Sequence, residues 1–182
     1  MGPVVALSGF MGSGKTTVGS LAAARLGFAF LDLDEEVEQS AGMRIEEIFS
    51  REGEEAFRTR EAAVLHELLR RHREVGNRSG LIVSLGGGAV TVPAVAELLK
   101  REAIVIFLKS DVEDAWKRVQ GSTRPLAASS SGFRNLFARR AHAYAATADA
   151  TIETGSRSVE QVVSSVVETI RGAAEARASC GL

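Results

Sequence analysis

The chain carries a single cysteine, Cys180. One thiol excludes a disulfide within the chain and a multi-thiolate metal site, and it fits a reducing compartment. Histidine is also scarce, and His66, His72 and His142 are too scattered to suggest a metal centre. Net charge is nearly absent, because 22 Lys and Arg stand against 23 Asp and Glu for a total of −1. That balance argues against a broad surface for nucleic acid, while leaving room for a few arginines gathered in a cleft. No uninterrupted apolar run reaches membrane-spanning length. The stretch Pro3–Gly9 is too short, and too quickly followed by glycine, to be a signal peptide. Residues with chemical character begin almost at residue 1, so a cytoplasmic protein that meets no membrane is expected. No internal repeat is visible.

What is present is enough for one domain over residues 1–182, with 45% of residues hydrophobic. Short apolar runs alternate with longer helical patterns, which predicts an α/β fold with a parallel five-stranded sheet covered by helices on both faces. The strands are expected at Val4–Leu7, Phe28–Leu33, Leu81–Leu85, Ile104–Leu108 and, more weakly, Ala150–Glu153. Capping-box patterns at Ser110–Glu113 and Ser158–Gln161 mark two helix starts, and Pro93 suits a first helical turn. Apolar residues at helical spacing run from Ile45 to Arg73, where Gly53 should interrupt or bend the helix. The stretch Gly121–Gly132 reads either as a surface loop or as a lid. Residues beyond Gly172 read as a fraying tail.

The strongest signal is Gly9-Phe10-Met11-Gly12-Ser13-Gly14-Lys15-Thr16, a full G-x-x-x-x-G-K-[ST] match between the first strand and a helix over Thr17–Leu26. The glycines let the backbone wrap closely enough for several N–H groups to face phosphate oxygens, and the helix adds its positive end. Lys15 can place a charge between β- and γ-phosphates, and the Thr16 hydroxyl can ligate magnesium. The motif predicts nucleotide binding without naming an acceptor.

Three weaker signals follow. Asp32 and Asp34 stand two apart at the end of the second strand, where period-2 geometry would send both to one side. One could serve a hydrated magnesium and the other an acceptor hydroxyl, although helix capping explains them as well. Gly86-Gly87-Gly88 after the third strand would let a substrate approach the backbone, and a flexible turn is the alternative reading. Arg58 can pair with Glu61 three residues on, and Arg139-Arg140 precede Tyr144; each also fits an ordinary solvated helix face.

In order along nearly the whole chain, these residues resemble the shikimate kinase family. The likeness runs through Gly9–Gly19, Asp32-Leu33-Asp34, Ile45, Ile48-Phe49, Gly53-Glu54, Phe57-Arg58 with Glu61, Gly86-Gly87-Gly88, Arg124-Pro125-Leu126, and Arg140 four residues before Tyr144. The resemblance implies a P-loop fold, ATP as phosphoryl donor, Mg2+, and transfer to the 3-hydroxyl of shikimate by a monomer. It implies that Gly12, Ser13, Gly14, Lys15, Thr16 and Thr17 cradle the ATP phosphates, with Thr16 and, through water, Asp32 serving the metal. It further implies that Asp34 binds the shikimate hydroxyls, that Arg58 and Arg140 clamp the carboxylate, and that Gly86, Gly87 and Gly88 line the acceptor. Arg124 would close with a lid over about 119–133 as a third catalytic group beside Lys15 and Asp34. Arg118 would stack on adenine, Arg157 would sit near the late nucleotide loop, the acceptor segment would span about 34–61, and the tail 173–182. Two departures stand out: His142 replaces the usual proline before the tyrosine, and Ala127–Ser131 make the lid rich in alanine and serine. A gluconate kinase sharing the loop, and a nucleotide-binding regulator without turnover, are the competing readings. The triple glycine with Arg58 and Arg140 opposes the first, and the intact set of Lys15, Asp34, Arg58 and Arg140 opposes the second.

Overall fold

A computed structural model describes residues 2–76, 79–120 and 129–179. The first half carries strand β1 (Val4–Ser8), helix α1 (Lys15–Leu26), β2 (Ala29–Asp32), α2 (Leu33–Ala41), α3 (Ile45–Arg51) and α4 (Gly53–Glu74). The second half carries β3 (Leu81–Ser84), α5 (Pro93–Glu102), β4 (Ile104–Lys109), α6 (Val112–Val119), α7 (Ser130–Thr147), β5 (Ala150–Glu153) and α8 (Val159–Ser179). A 3-10 turn over Ala89–Thr91 joins β3 to α5.

The five strands form one parallel sheet in the order β2-β3-β1-β4-β5. Alternation along the strands divides the core into two layers. Val4, Ala6, Leu81, Val83, Val105 and Phe107 point to the side covered by α2–α7. Val5, Leu7, Ile82, Ile104, Ile106 and Leu108 point to α1 and α8, where they meet Val18, Ala22, Val163 and Val166. A strand buried on both faces has no polar side to show, which is why these segments read as continuous apolar runs. β1 lies between β3 and β4, so the chain leaves it in opposite directions, and the crevice at the carboxyl ends of the strands opens there.

Local details depart from expectation at several points. The phosphate-loop helix begins at Lys15 rather than Thr17, which puts Lys15 and Thr16 in its first turn. β2 stops at Asp32, so Asp32 and Asp34 are not alternate residues of one strand. Asp32 is the N-cap of α2, its carboxylate accepting from the Asp34 N–H at 3.0 Å. A helix does follow this pair, but it opens at Leu33 with Asp32 as its cap rather than at Asp34, which is held in the first turn. Asp111, not Ser110, caps α6, accepting from the N–H groups of Glu113 and Asp114. The Ser158–Gln161 box does form reciprocally. The helical run breaks at Glu52, and Gly53 opens α4 with φ +85°, a conformation that side chains resist. α8 runs past Gly172 to Ser179, where a tail was expected. Among the described residues no helix is long and apolar enough to cross a membrane.

Candidate active site

The phosphate loop occupies the crevice beside β1. Gly12 shows why the motif needs glycine: its φ is +81°, and a Cβ there would lie 2.6 Å from the Ala115 carbonyl of α6. Phe10 and Met11, the variable positions of the motif, are buried. Phe10 meets Phe133 and Phe137 of α7 edge-on, with ring centroids 4.8 Å and 5.1 Å away. The loop is thus fixed from outside by packing while its backbone stays turned to the crevice. Lys15 donates to the carbonyls of Gly9 at 2.9 Å and Phe10 at 3.2 Å.

Thr16 Oγ1 donates to Asp32 Oδ2 at 2.6 Å, with Ser84 Oγ 3.5 Å from the same hydroxyl. One carboxylate oxygen of Asp32 therefore caps α2 while the other faces the phosphate loop. A hydroxyl and a carboxylate oxygen side by side are hard donors of the kind magnesium takes, with water and phosphate completing its shell. On the outer side of the loop, Arg118 donates to the Gly12 carbonyl at 3.0 Å. Arg118 and Arg157 share the lining of a cavity of about 200 Å3 with Ser13, Gly14 and Thr17. Arg157 is braced by bonds to the Gln161 carbonyl and the Ser165 hydroxyl of α8.

Across the crevice, the triple glycine gathers the remaining groups. Arg58 comes from α4 and Arg140 from α7, 82 residues later in the chain (140 − 58 = 82). Arg140 donates to the Gly87 carbonyl at 3.0 Å, and Tyr144 donates to the same carbonyl. With both lone pairs of that oxygen engaged, any ligand contact made by Gly87 falls to its N–H. Arg58 Nη1 binds Glu61 at 2.6 Å. Glu61 is 1% exposed and Arg140 6%, so neither lies on a solvated helix face.

Two glycines of the triplet have a packing explanation that sequence reasoning missed. A Cβ on Gly86 would lie 2.0 Å from Glu61 Oε1 and 2.8 Å from Asp34 Oδ1. A Cβ on Gly88 would lie 2.3 Å from Arg58 Nη2. The loop lacks side chains because the Arg58–Glu61 pair and Asp34 press against it. Glu54 also went without a role, though it accepts from Arg58 Nη2 at 3.2 Å and from Arg140 Nη2 at 3.5 Å. Its presence in the Gly53-Glu54 pair of the family likeness and its place in the first turn of α4, four residues before Arg58, were the available signals.

The cluster is electrostatically tense. Burial pushes the Glu61 carboxyl above its ordinary pKa, against the charge and hydrogen bond of Arg58, and the nearby Asp34 charge pushes the same way. Burial lowers Arg140, and the positive charge of Arg58 adds to that. For Arg58 burial also pulls down, but the Glu61 charge and the bonds to Glu61 and Glu54 outweigh it and leave the guanidinium raised. Burial raises the Tyr144 phenol, which keeps it a donor. Arg124 and most of the expected lid lie outside the described residues.

A phosphate loop at a sheet switch point, opposite one buried and one largely enclosed guanidinium group, belongs to a P-loop kinase that phosphorylates a small acidic acceptor. The family model for shikimate kinase matches residues 11–171. A shikimate kinase of Cupriavidus pinatubonensis is 42% identical over 163 residues, spanning 87% of this chain and 81% of its own. One of Geobacter sulfurreducens is 40% identical over 171 residues, spanning 92% and 90%. The solved shikimate kinase of Acinetobacter baumannii in complex with shikimate superposes with a TM-score of 0.86 at 37% identity, covering 94% of both chains. The chain belongs to the shikimate kinase family, and its activity is the ATP-dependent phosphorylation of shikimate in aromatic biosynthesis. The five-stranded P-loop fold, the enzyme class and the acceptor all agree with the sequence reading, and neither the gluconate kinase nor the inactive regulator stands.

Proposed function

We propose that this enzyme carries the γ-phosphoryl group of Mg·ATP to the 3-hydroxyl of shikimate, with Arg58 and Arg140 clamping the acceptor carboxylate. The observation that carries the reading is the meeting of these two guanidinium groups, from distant helices, beside the Gly86–Gly88 loop and Asp34. A planar carboxylate is matched best by guanidinium forks. Held there, the acceptor turns a hydroxyl towards Asp34 and the phosphate loop.

Backbone N–H groups from Gly12 to Thr17 and the amino end of α1 hold the β- and γ-phosphates, joined by Lys15 once it turns from the Gly9 and Phe10 carbonyls. The acceptor oxygen attacks the γ-phosphorus, the bond to the β–γ bridging oxygen breaks, and ADP leaves. The hydroxyl proton passes to, or is held by, Asp34. Thr16 and, through water, Asp32 would hold the magnesium ion, which supplies positive charge against the phosphate oxygens. The cavity beside Arg118 and Arg157 suits the nucleoside end of ATP, and Arg124 from the lid would add charge at the phosphates. The same reading takes the enzyme as a monomer built as one domain and working in the cytoplasm.

The test is a coupled ADP assay across a panel of hydroxy acids, with Arg58→Ala and Arg140→Ala beside the wild type. Each substitution is expected to raise the KM for shikimate by about tenfold or more, since charge-assisted bonds are worth about 1.5–3 kcal/mol. An unchanged KM in both variants would remove the clamp.

A further inference from the structure

Each clamp arginine has one edge held by the fold and one turned inward. Arg58 Nη1 is bound to Glu61, and Arg140 Nη1 to the Gly87 carbonyl. The two Nη2 groups converge instead on one oxygen, Glu54 Oε1, at 3.2 Å and 3.5 Å. Two inward N–H donors from separate helices meeting one carboxylate oxygen make the seat of a carboxylate, and in this structure a side chain of the chain itself fills it.

We infer that Glu54 is an acceptor-specificity residue: an internal carboxylate that neutralises Arg58 and Arg140 and that the acceptor's own carboxylate must displace. The inference rests on the clamp reading above and deepens it. Three observations support exchange over permanent pairing. Glu54 stands in the first turn of α4, one residue after Gly53, and its side chain is 48% exposed, so it has solvent to swing into. The guanidinium groups do not have that freedom: the Arg58 side chain is 14% exposed and that of Arg140 8%. The positive charge of Arg58 also lowers Arg140, and the two guanidinium groups share one carboxylate oxygen, so the seat calls for an anion whether or not the acceptor is bound.

The consequence is selection by charge. An acceptor with a carboxylate offers both Nη2 groups a replacement, and Glu54 regains full hydration as it leaves. A neutral polyol offers no replacement, so Glu54 stays and the seat is closed to it. Discrimination here comes from competition as well as from attraction.

The experiment compares Glu54→Gln and Glu54→Ala with the wild type, measuring the shikimate KM in the ADP assay and shikimate affinity by calorimetry. Glu55→Gln, at an exposed neighbour, removes the same charge without touching the arginines and controls for long-range field effects. Loss of the competitor is expected to lower the shikimate KM by about 2- to 5-fold, as for a half-exposed ion pair. The fall should appear in KM and in calorimetric affinity rather than in kcat, and the carboxamide analogue of shikimate should gain less. Glu55→Gln should leave KM where it was. A rise in KM for Glu54→Ala means that Glu54 merely holds the arginines in place and overturns the proposal, as does no change. Arg58→Ala and Arg140→Ala, run alongside, separate the two failures: a raised KM there keeps the clamp even when the Glu54 result is negative.

Discussion

Gly88→Ala tests the wedge between the glycine loop and Arg58. Gly88 has φ −131°, open to any residue, so a methyl group adds no backbone strain. Its Cβ would instead stand 2.3 Å from Arg58 Nη2 and 2.6 Å from Cζ, well inside contact distance. The far end of a flexible side chain is what yields, so the guanidinium is pushed out of register with the seat. Two effects follow. The acceptor loses part or all of a charge-assisted bond worth about 1.5–3 kcal/mol, which is roughly a 10- to 100-fold rise in shikimate KM. The Glu61 carboxylate, almost fully buried, loses alignment with its countercharge, for about 1–3 kcal/mol of stability. For a chain of this size that lowers Tm by about 2–4 °C per kcal/mol. The assay is initial-rate ADP release with shikimate varied at saturating ATP, then the reverse, with a thermal melt of each protein. The KM for ATP should hardly move, because Gly88 and Arg58 lie on the acceptor side. A shikimate KM within about twofold of the wild type would refute the reasoning, since a displaced Arg58 cannot clamp as before.

Lys15→Ala should abolish measurable ADP release while the melt stays near that of the wild type; near-normal turnover would remove Lys15 from the phosphate cradle. Glu61→Gln probes the buried carboxyl through pH. Because burial raises the folded-state pKa of Glu61, the folded protein holds that proton more tightly than the unfolded chain does. The stability of the wild type relative to Glu61→Gln is therefore greatest below the ordinary glutamate pKa and declines as pH rises through the raised value. A difference in Tm between the two proteins that is flat, or that grows with pH, would contradict a raised pKa.

Much of the fold could be read from residue order because strand burial and helix caps leave local signatures. The apolar runs at Val4–Leu7 and Ile104–Leu108 are short and rich in β-branched residues, as strands covered on both sides are, and Pro93 and Ser158 mark helix starts within a few residues. The ends of elements were harder. Asp32 caps a helix that begins at once, so the second strand is shorter than its apolar pattern suggests, and the reach of Asp34 follows from a helical turn rather than from strand alternation. Ser110 resembles a cap, but the turn places the Asp111 carboxylate where the N–H groups are.

The phosphate loop was recognisable from the primary structure because all its parts lie within eight residues, and their identities follow from backbone geometry and charge. The acceptor side was not legible in the same way. Arg58, Glu61 and Glu54 share one helix, where nothing distinguishes them from ordinary i, i+3 and i, i+4 pairs on a wet surface. Arg58 and Glu61 become an enclosed pair, with Glu54 at its solvent edge, only when folding brings α7, with Arg140 and Tyr144, against the loop after β3. Burial and convergence depend on contacts between segments far apart along the chain, and no local pattern encodes the distance between them.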